Sequence, residues 1–230
     1  MRRNPWIVFF VVVLAADIMG ILLSNQLIQL ITKPLIIPAL GGYFFSSTRA
    51  TAHPLKKCIF LALFFSWAGD LFLLFVGKDS LFFLLGLSSF LIAHIFYIIF
   101  FHGVRVIEAI KSRIIPLLIV AVYYTTLIFF LSPYLHDMKL PVRIYGVVIS
   151  FMFMLAMHML FLKNRKIGLL MMLGALLFVI SDSALAIDKF YQSFEGVGVI
   201  IMVTYGLAQL LITEGAIRYI KSSSRDFKKL

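Results

Sequence analysis

The chain has a single cysteine, Cys58, in 230 residues, which excludes an internal disulfide and any cysteine-rich metal cluster. Charge is equally scarce. Only 13% of the residues are Asp, Glu, Lys or Arg, where a soluble domain carries about 25%. The sequence contains no His-Glu-x-x-His pair, no Gly-x-Ser-x-Gly elbow and no phosphate-binding glycine loop. Zinc peptidases, serine hydrolases and nucleotide hydrolases therefore find none of their signatures here. No segment alternates apolar and polar residues in the manner of membrane-barrel strands. No low-complexity linker divides the chain, so residues 1–230 read as one domain.

What the sequence does have is apolar bulk: 62% hydrophobic residues, with 24 Phe and 9 Tyr. One interior of this size cannot hold that much apolar surface, and disordered chains are poor in these residue types. The solvent is lipid. A spanning helix needs about 20 mainly apolar residues, and the chain supplies eight such runs, near 5–23, 27–46, 57–76, 80–101, 114–132, 142–162, 167–187 and 196–217. The expected fold is an all-α membrane bundle of eight transmembrane helices. Arg2 and Arg3 before an apolar run resemble a secretory signal. Ala15-Ala16-Asp17 is a poor cleavage site, however, and the run continues to Leu23, so the segment reads as an uncleaved first span.

Eight spans place both termini on one side. Sixteen of the 21 Lys and Arg residues fall on that side and four (Lys78, Lys139, Arg143, Lys189) on the other, with Lys33 inside span two. The positive-inside rule then puts both termini in the cytoplasm. The same clustering accounts for the net charge of +11 without nucleic acid as a partner. The expected location is a multi-pass integral membrane protein, in the inner membrane if the cell is bacterial.

Ionisable residues inside a membrane are costly and are functional candidates by default. Six stand out: Asp17, Lys33, Asp70, His94, His158 and Asp182, joined in span eight by Tyr205 and Gln209. With about 1.5 Å of rise per residue, Asp17, Asp70 and Asp182 all lie past the midpoints of outward-running spans. Lys33, on an inward-running span, falls in the same outer half. Three carboxylates and an ammonium thus share one depth zone while coming from four helices, as a polar cavity in a bundle requires. Asp17 either lines that cavity or simply pairs with Lys33. Lys33 precedes Pro34, which breaks the helix ladder, so it marks either a kink with a buried counter-ion or a substrate contact. Asp70 and Asp182 each follow a small residue that permits close helix approach. His94 and Tyr97 share a helix face, as do Tyr205 and Gln209, and each pair is either a cavity lining or an interhelical link. His158 reads as packing. Spans three and seven run the same way, four spans apart, which admits a four-plus-four repeat with the two aspartates facing one another.

Taken in order, several segments resemble one known family. They are Thr32-Lys33-Pro34-Leu35, Trp67-Ala68-Gly69-Asp70-Leu71-Phe72-Leu73, Gly86-Leu87-Ser88-Ser89-Phe90-Leu91-Ile92-Ala93-His94-Ile95-Phe96-Tyr97, Gly174-Ala175-Leu176-Leu177-Phe178-Val179-Ile180-Ser181-Asp182-Ser183 and Tyr205-Gly206-Leu207-Ala208-Gln209. Together they resemble the YhhN-like lysoplasmalogenases, from span two to span eight. The resemblance implies an eight-span hydrolase that cleaves the vinyl-ether bond of lysoplasmalogen. Its products would be a fatty aldehyde and glycerophospho-ethanolamine or -choline. It assigns catalysis to Asp70 and Asp182. Lys33, His94, Tyr97, Tyr205 and Gln209 become pocket residues, with Asp17 added from its depth. No metal and no cofactor is expected, and the partners are a lysophospholipid and the bilayer.

Such chemistry suits a buried carboxylate pair. Vinyl-ether hydrolysis begins with protonation of the β-carbon and passes through an oxocarbenium ion that water captures. Burial and a second carboxylate nearby both favour the protonated form, so one member of a buried pair stays an acid. Glycosidases use two carboxylates against a similar transition state. The rival reading from residues alone is a proton-coupled transporter of a lipid or small solute that uses the same aspartates as a relay. A lipid-binding scaffold is the third.

Overall fold

The computed structural model describes residues 4–227, with side chains to Ser223. Arg2 and Arg3, on which part of the charge argument rests, lie outside the described residues. Among the described residues eight α-helices follow one another: α1 (Pro5–Leu22), α2 (Gln26–Thr48), α3 (Lys56–Leu73), α4 (Leu81–Ile107), α5 (Ile114–Leu131), α6 (Lys139–His158), α7 (Arg165–Phe190) and α8 (Val197–Phe227). Short 3-10 turns flank α6, and there is no strand among the described residues. Seven of the eight helices are long and apolar enough to cross a membrane. The eighth expected span is α3, whose 18 residues include Lys56, Lys57 and Asp70. Its charges are accommodated individually: Lys56 donates to the Thr48 carbonyl at 2.8 Å, and Asp70 points into the protein, 2% exposed.

Three helices begin where the sequence supplies an asparagine cap. Asn4, Asn25 and Asn164 each accept a first-turn amide of α1, α2 and α7, satisfying donors the helix itself leaves free. Some helices end later than the apolar runs suggest. α4 continues to Ile107 and α7 to Phe190, because backbone hydrogen bonding does not stop where hydropathy does.

Consecutive helices pack as antiparallel pairs, most extensively α1 with α2, α3 with α4, and α7 with α8. Contacts of α4 with α6, α6 with α7 and α8 with α1 complete a ring, and α8 also reaches α2 and α3. α5 rests outside, chiefly on α6. Its Leu117, Leu118, Val122 and Phe129 are exposed, the last by 83%, which suits a lipid-facing surface. Glycines set the tightest crossings. A methyl group on Gly69 would lie 2.7 Å from the Phe90 ring, and one on Gly174 2.9 Å from the Ala208 carbonyl oxygen.

α2 stays helical through Pro34 and Pro38. Pro38 has no amide to give to the carbonyl four residues earlier, which is that of Pro34. The indole of Trp67 on α3 donates to that oxygen at 2.9 Å. A missing backbone bond thus becomes a tie between α2 and α3, one residue from Lys33 and three from Asp70.

Candidate functional site

Near the end of the bundle where α1, α3 and α7 finish and α8 begins, a cavity of about 200 Å³ is lined by Lys33, Asp70, Tyr205, Ser181, Asp182 and Gln29, with Phe90, Leu73 and Leu185. Both aspartates expected from sequence therefore open on one space, together with Lys33 and Tyr205. Lys33, Asp17 and Asp182 are the charges near enough to act on Asp70.

The two carboxylates are held alike. Tyr205 donates to Asp70 Oδ2 at 2.7 Å, and Tyr145 on α6 donates to Asp182 Oδ2. His94 Nε2 stands 3.4 Å from that same Asp182 oxygen. Among the described residues no protein group donates to Oδ1 of either aspartate. The carbonyl oxygen of a carboxylic acid is its better acceptor, so the tyrosine bonds favour an acidic proton on the oxygen they leave free. Each aspartate is thus tethered by one oxygen and has the other available.

A second layer lies one helical turn deeper. Ser66 precedes Asp70 by four residues and Gln209 follows Tyr205 by four, about 6 Å along each helix. Gln209 Nε2 donates to Ser66 Oγ at 2.9 Å, and Tyr97 donates to Gln209 Oε1 at 2.6 Å. α3 and α8 are therefore joined by two rungs, Asp70–Tyr205 and Ser66–Gln209. Tyr97, Gln209 and His94 are fully buried and are not among the residues lining the cavity. Asp17 is also fully buried and off the cavity wall. Thr32 donates to its Oδ1 at 2.7 Å, while Oδ2 has no partner; no ion pair with Lys33 forms within 4 Å. His158 is satisfied on both nitrogens, against the Met154 carbonyl and the Arg113 amide.

Sequence reasoning passed over Tyr145 and Ser66, and named Thr32 only as part of a matching segment. Tyr145 carried a usable signal, since it lies six residues into an inward-running span and so shares the depth zone of Asp182.

Two further spaces adjoin the cavity. On one side a vestibule of about 550 Å³ shares Gln29, Lys33 and Leu73 with it and adds Gln26 and Lys78. On the other an apolar slot of about 40 Å³ shares Asp182, Phe90, Leu73 and Leu185 and adds Phe83, Leu87, Val142 and Phe190. The aspartates thus sit between a polar space and an apolar one. Among the described residues no group of three or more His, Cys, Asp or Glu side chains is arranged to hold a metal ion.

The sequence model of the YhhN family matches residues 28–216. The chain belongs to the YhhN family. The matched segment contains Lys33, both cavity aspartates, Tyr145 and Tyr205, and omits the whole of α1. Named relatives include lysoplasmalogenase TMEM86A from Bos taurus, 33% identical over 169 residues, covering 72% of this chain and 67% of the relative. The protein of that name from Homo sapiens is equally similar, over 72% of this chain and 68% of its own length. A lysoplasmalogenase from Mycobacterium tuberculosis is 30% identical over 175 residues, covering 74% of this chain and 65% of its own. No solved structure matches this YhhN-family chain.

Proposed function

We propose that this protein is an integral-membrane lysoplasmalogenase. It hydrolyses the vinyl-ether bond of an alkenyl-glycerophospho-ethanolamine or -choline to a fatty aldehyde and the glycerophosphodiester. The observation that carries the reading is that Asp70 and Asp182 line one cavity between a polar vestibule and an apolar slot. That is the polarity profile of a single-chain lipid with its labile bond at the junction. The slot has room for only the first atoms of the chain, and the remainder lies in the bilayer. The names of the relatives support the same substrate.

In the mechanism, one aspartic acid gives the proton on its untethered oxygen to the β-carbon of the vinyl ether. The C=C electron pair forms the new C–H bond, and the α-carbon becomes an oxocarbenium ion. The other aspartate, still ionised, stabilises that cation and takes a proton from water as the water oxygen bonds to the α-carbon. The hemiacetal then loses its hydroxyl proton, the bond to the glycerol oxygen breaks, and that oxygen is protonated. One water is consumed and the acid and base are restored by proton return. Tyr205 and Tyr145 hold the two carboxylates in register, and His94 supports Asp182. Tyr97 and Gln209 brace Tyr205 from below, and Asp17, through Thr32, sets the field around Lys33. The same reading keeps both termini cytoplasmic, counts α3 as the eighth span, and treats α3 and α7 as counterparts in two four-helix halves.

The test is aldehyde release by purified protein given alkenyl lysophospholipid. Replacing either acid, by Asp70→Asn or Asp182→Asn, lowers turnover by about 10²-fold or more, the usual worth of a general acid or base. Wild-type turnover in both variants would sink the carboxylate-pair mechanism. Substrate flux into proteoliposomes with no bond cleaved would make the protein a carrier, and activity lost to a chelator would call for a metal.

A further inference from the structure

The vestibule has a chemical character of its own. Its polar side chains are Lys33, Lys78, Gln26 and Gln29, and no carboxylate lines it among the described residues. Lys78 is exposed, and its Nζ is placed 4.9 Å from the centre of the Phe75 ring, another lining residue. The nearest acid in sequence, Asp79, is engaged elsewhere: its Oδ1 accepts the Leu81 amide at 2.8 Å at the start of α4. Gln26 and Gln29 come from the first turn of α2, where the helix dipole adds positive potential. Two ammonium groups and two carboxamides, with no competing acid, match a group of several oxygen acceptors and at least one negative charge. Beyond the two carboxamide oxygens and the Phe75 ring that Lys78 already faces, no group there attracts an ammonium or trimethylammonium group, and the two lysines repel one.

We infer that the vestibule is a phosphate subsite in which Lys78 and Lys33 bind the phosphodiester of the substrate, with Gln26 and Gln29 as additional donors. Lys33 is common to the vestibule and the reaction cavity, so a phosphate held there sets how far the glycerol reaches toward Asp70. Lys78 belongs to the vestibule alone and is the specificity residue for the head-group phosphate. The inference rests on the lysoplasmalogenase reading, and its test separates the two.

The experiment compares two substrates with the same alkenyl chain, alkenyl-glycerophosphoethanolamine and the phosphate-free alkenylglycerol, on full-length protein in detergent. Lys78→Gln raises KM for the phosphate-bearing substrate about fivefold, the scale of one partly exposed charge contact, while kcat changes less than about twofold. Lys78→Arg restores KM. With alkenylglycerol neither variant changes KM. An equal rise in KM for both substrates, or none for either, would overturn the subsite. A second arm needs no turnover: binding of a non-cleavable alkyl-glycerophosphocholine weakens in Lys78→Glu and with added salt, whereas binding of alkylglycerol does not. Protein that cleaves neither substrate yet shows this binding difference refutes the enzyme reading and keeps the subsite. Protein that cleaves the phospholipid with no dependence on Lys78 does the reverse.

Discussion

Trp67→Phe tests how the fold places Lys33 beside Asp70. The substitution keeps an aromatic ring and removes the indole N–H that reaches the Pro34 carbonyl at 2.9 Å. No amide replaces it, because the residue one turn on is Pro38. The Pro34 carbonyl is part-buried, and such a group left without a donor costs up to about 1–3 kcal/mol, the more so where lipid rather than water faces it. For a chain of this size that corresponds to a lowering of the thermal midpoint by roughly 2–12 °C. The decisive measurement is a double-mutant cycle with Pro38→Ala, which restores an amide at position 38 on an exposed face of α2. In that background Trp67→Phe becomes cheap, and the coupling between the two changes reaches about 1 kcal/mol or more. Thermal unfolding in detergent gives the four midpoints, and aldehyde release shows whether the loosened α2 also raises KM through Lys33. Strict additivity of the two substitutions, or a Trp67→Phe cost no larger than the ~0.5 kcal/mol of an ordinary surface change, would refute the argument.

Two other outcomes follow from the same geometry. Tyr145→Phe frees Asp182 Oδ2 from its tether and lowers turnover about tenfold or more, the worth of one hydrogen bond to a charged group, measured by aldehyde release. An unchanged kcat would show that Asp182 is oriented by something else. Gly69→Ala drives a methyl group to 2.7 Å from the Phe90 ring. It destabilises by about 1–3 kcal/mol as an overpacked core does, read as a lower unfolding midpoint.

Much of this was legible in the residue order. Apolar runs located all eight helices, because a backbone in lipid has little choice but to satisfy itself internally. Depth bookkeeping put Lys33, Asp70 and Asp182 in one zone, and the structure lines one cavity with them. Depth carries no lateral information, however. Asp17 shares the zone but turns to Thr32, and depth alone does not distinguish it from Asp70. Tyr145 was overlooked because, unlike Tyr97 with His94 or Tyr205 with Gln209, it has no polar neighbour three or four residues away on its own span. The Trp67–Pro34 tie was invisible for a related reason: the loss of a backbone donor at Pro38 can be read from sequence, whereas the group that answers it comes from another helix.

The placement of the three connected spaces has a consequence for how a reaction ends. The vestibule is polar and reaches exposed Gln26 and Lys78, while the slot between α4, α6 and α7 is walled by Phe83, Leu87, Val142 and Phe190. Once a lipid spanning the junction is cut, its two halves have no common solvent. The glycerophosphodiester departs toward water and the aldehyde toward hydrocarbon, so each fragment is diluted into a different phase. Phase separation then acts as the ratchet: recombination requires both halves to return at once from different solvents.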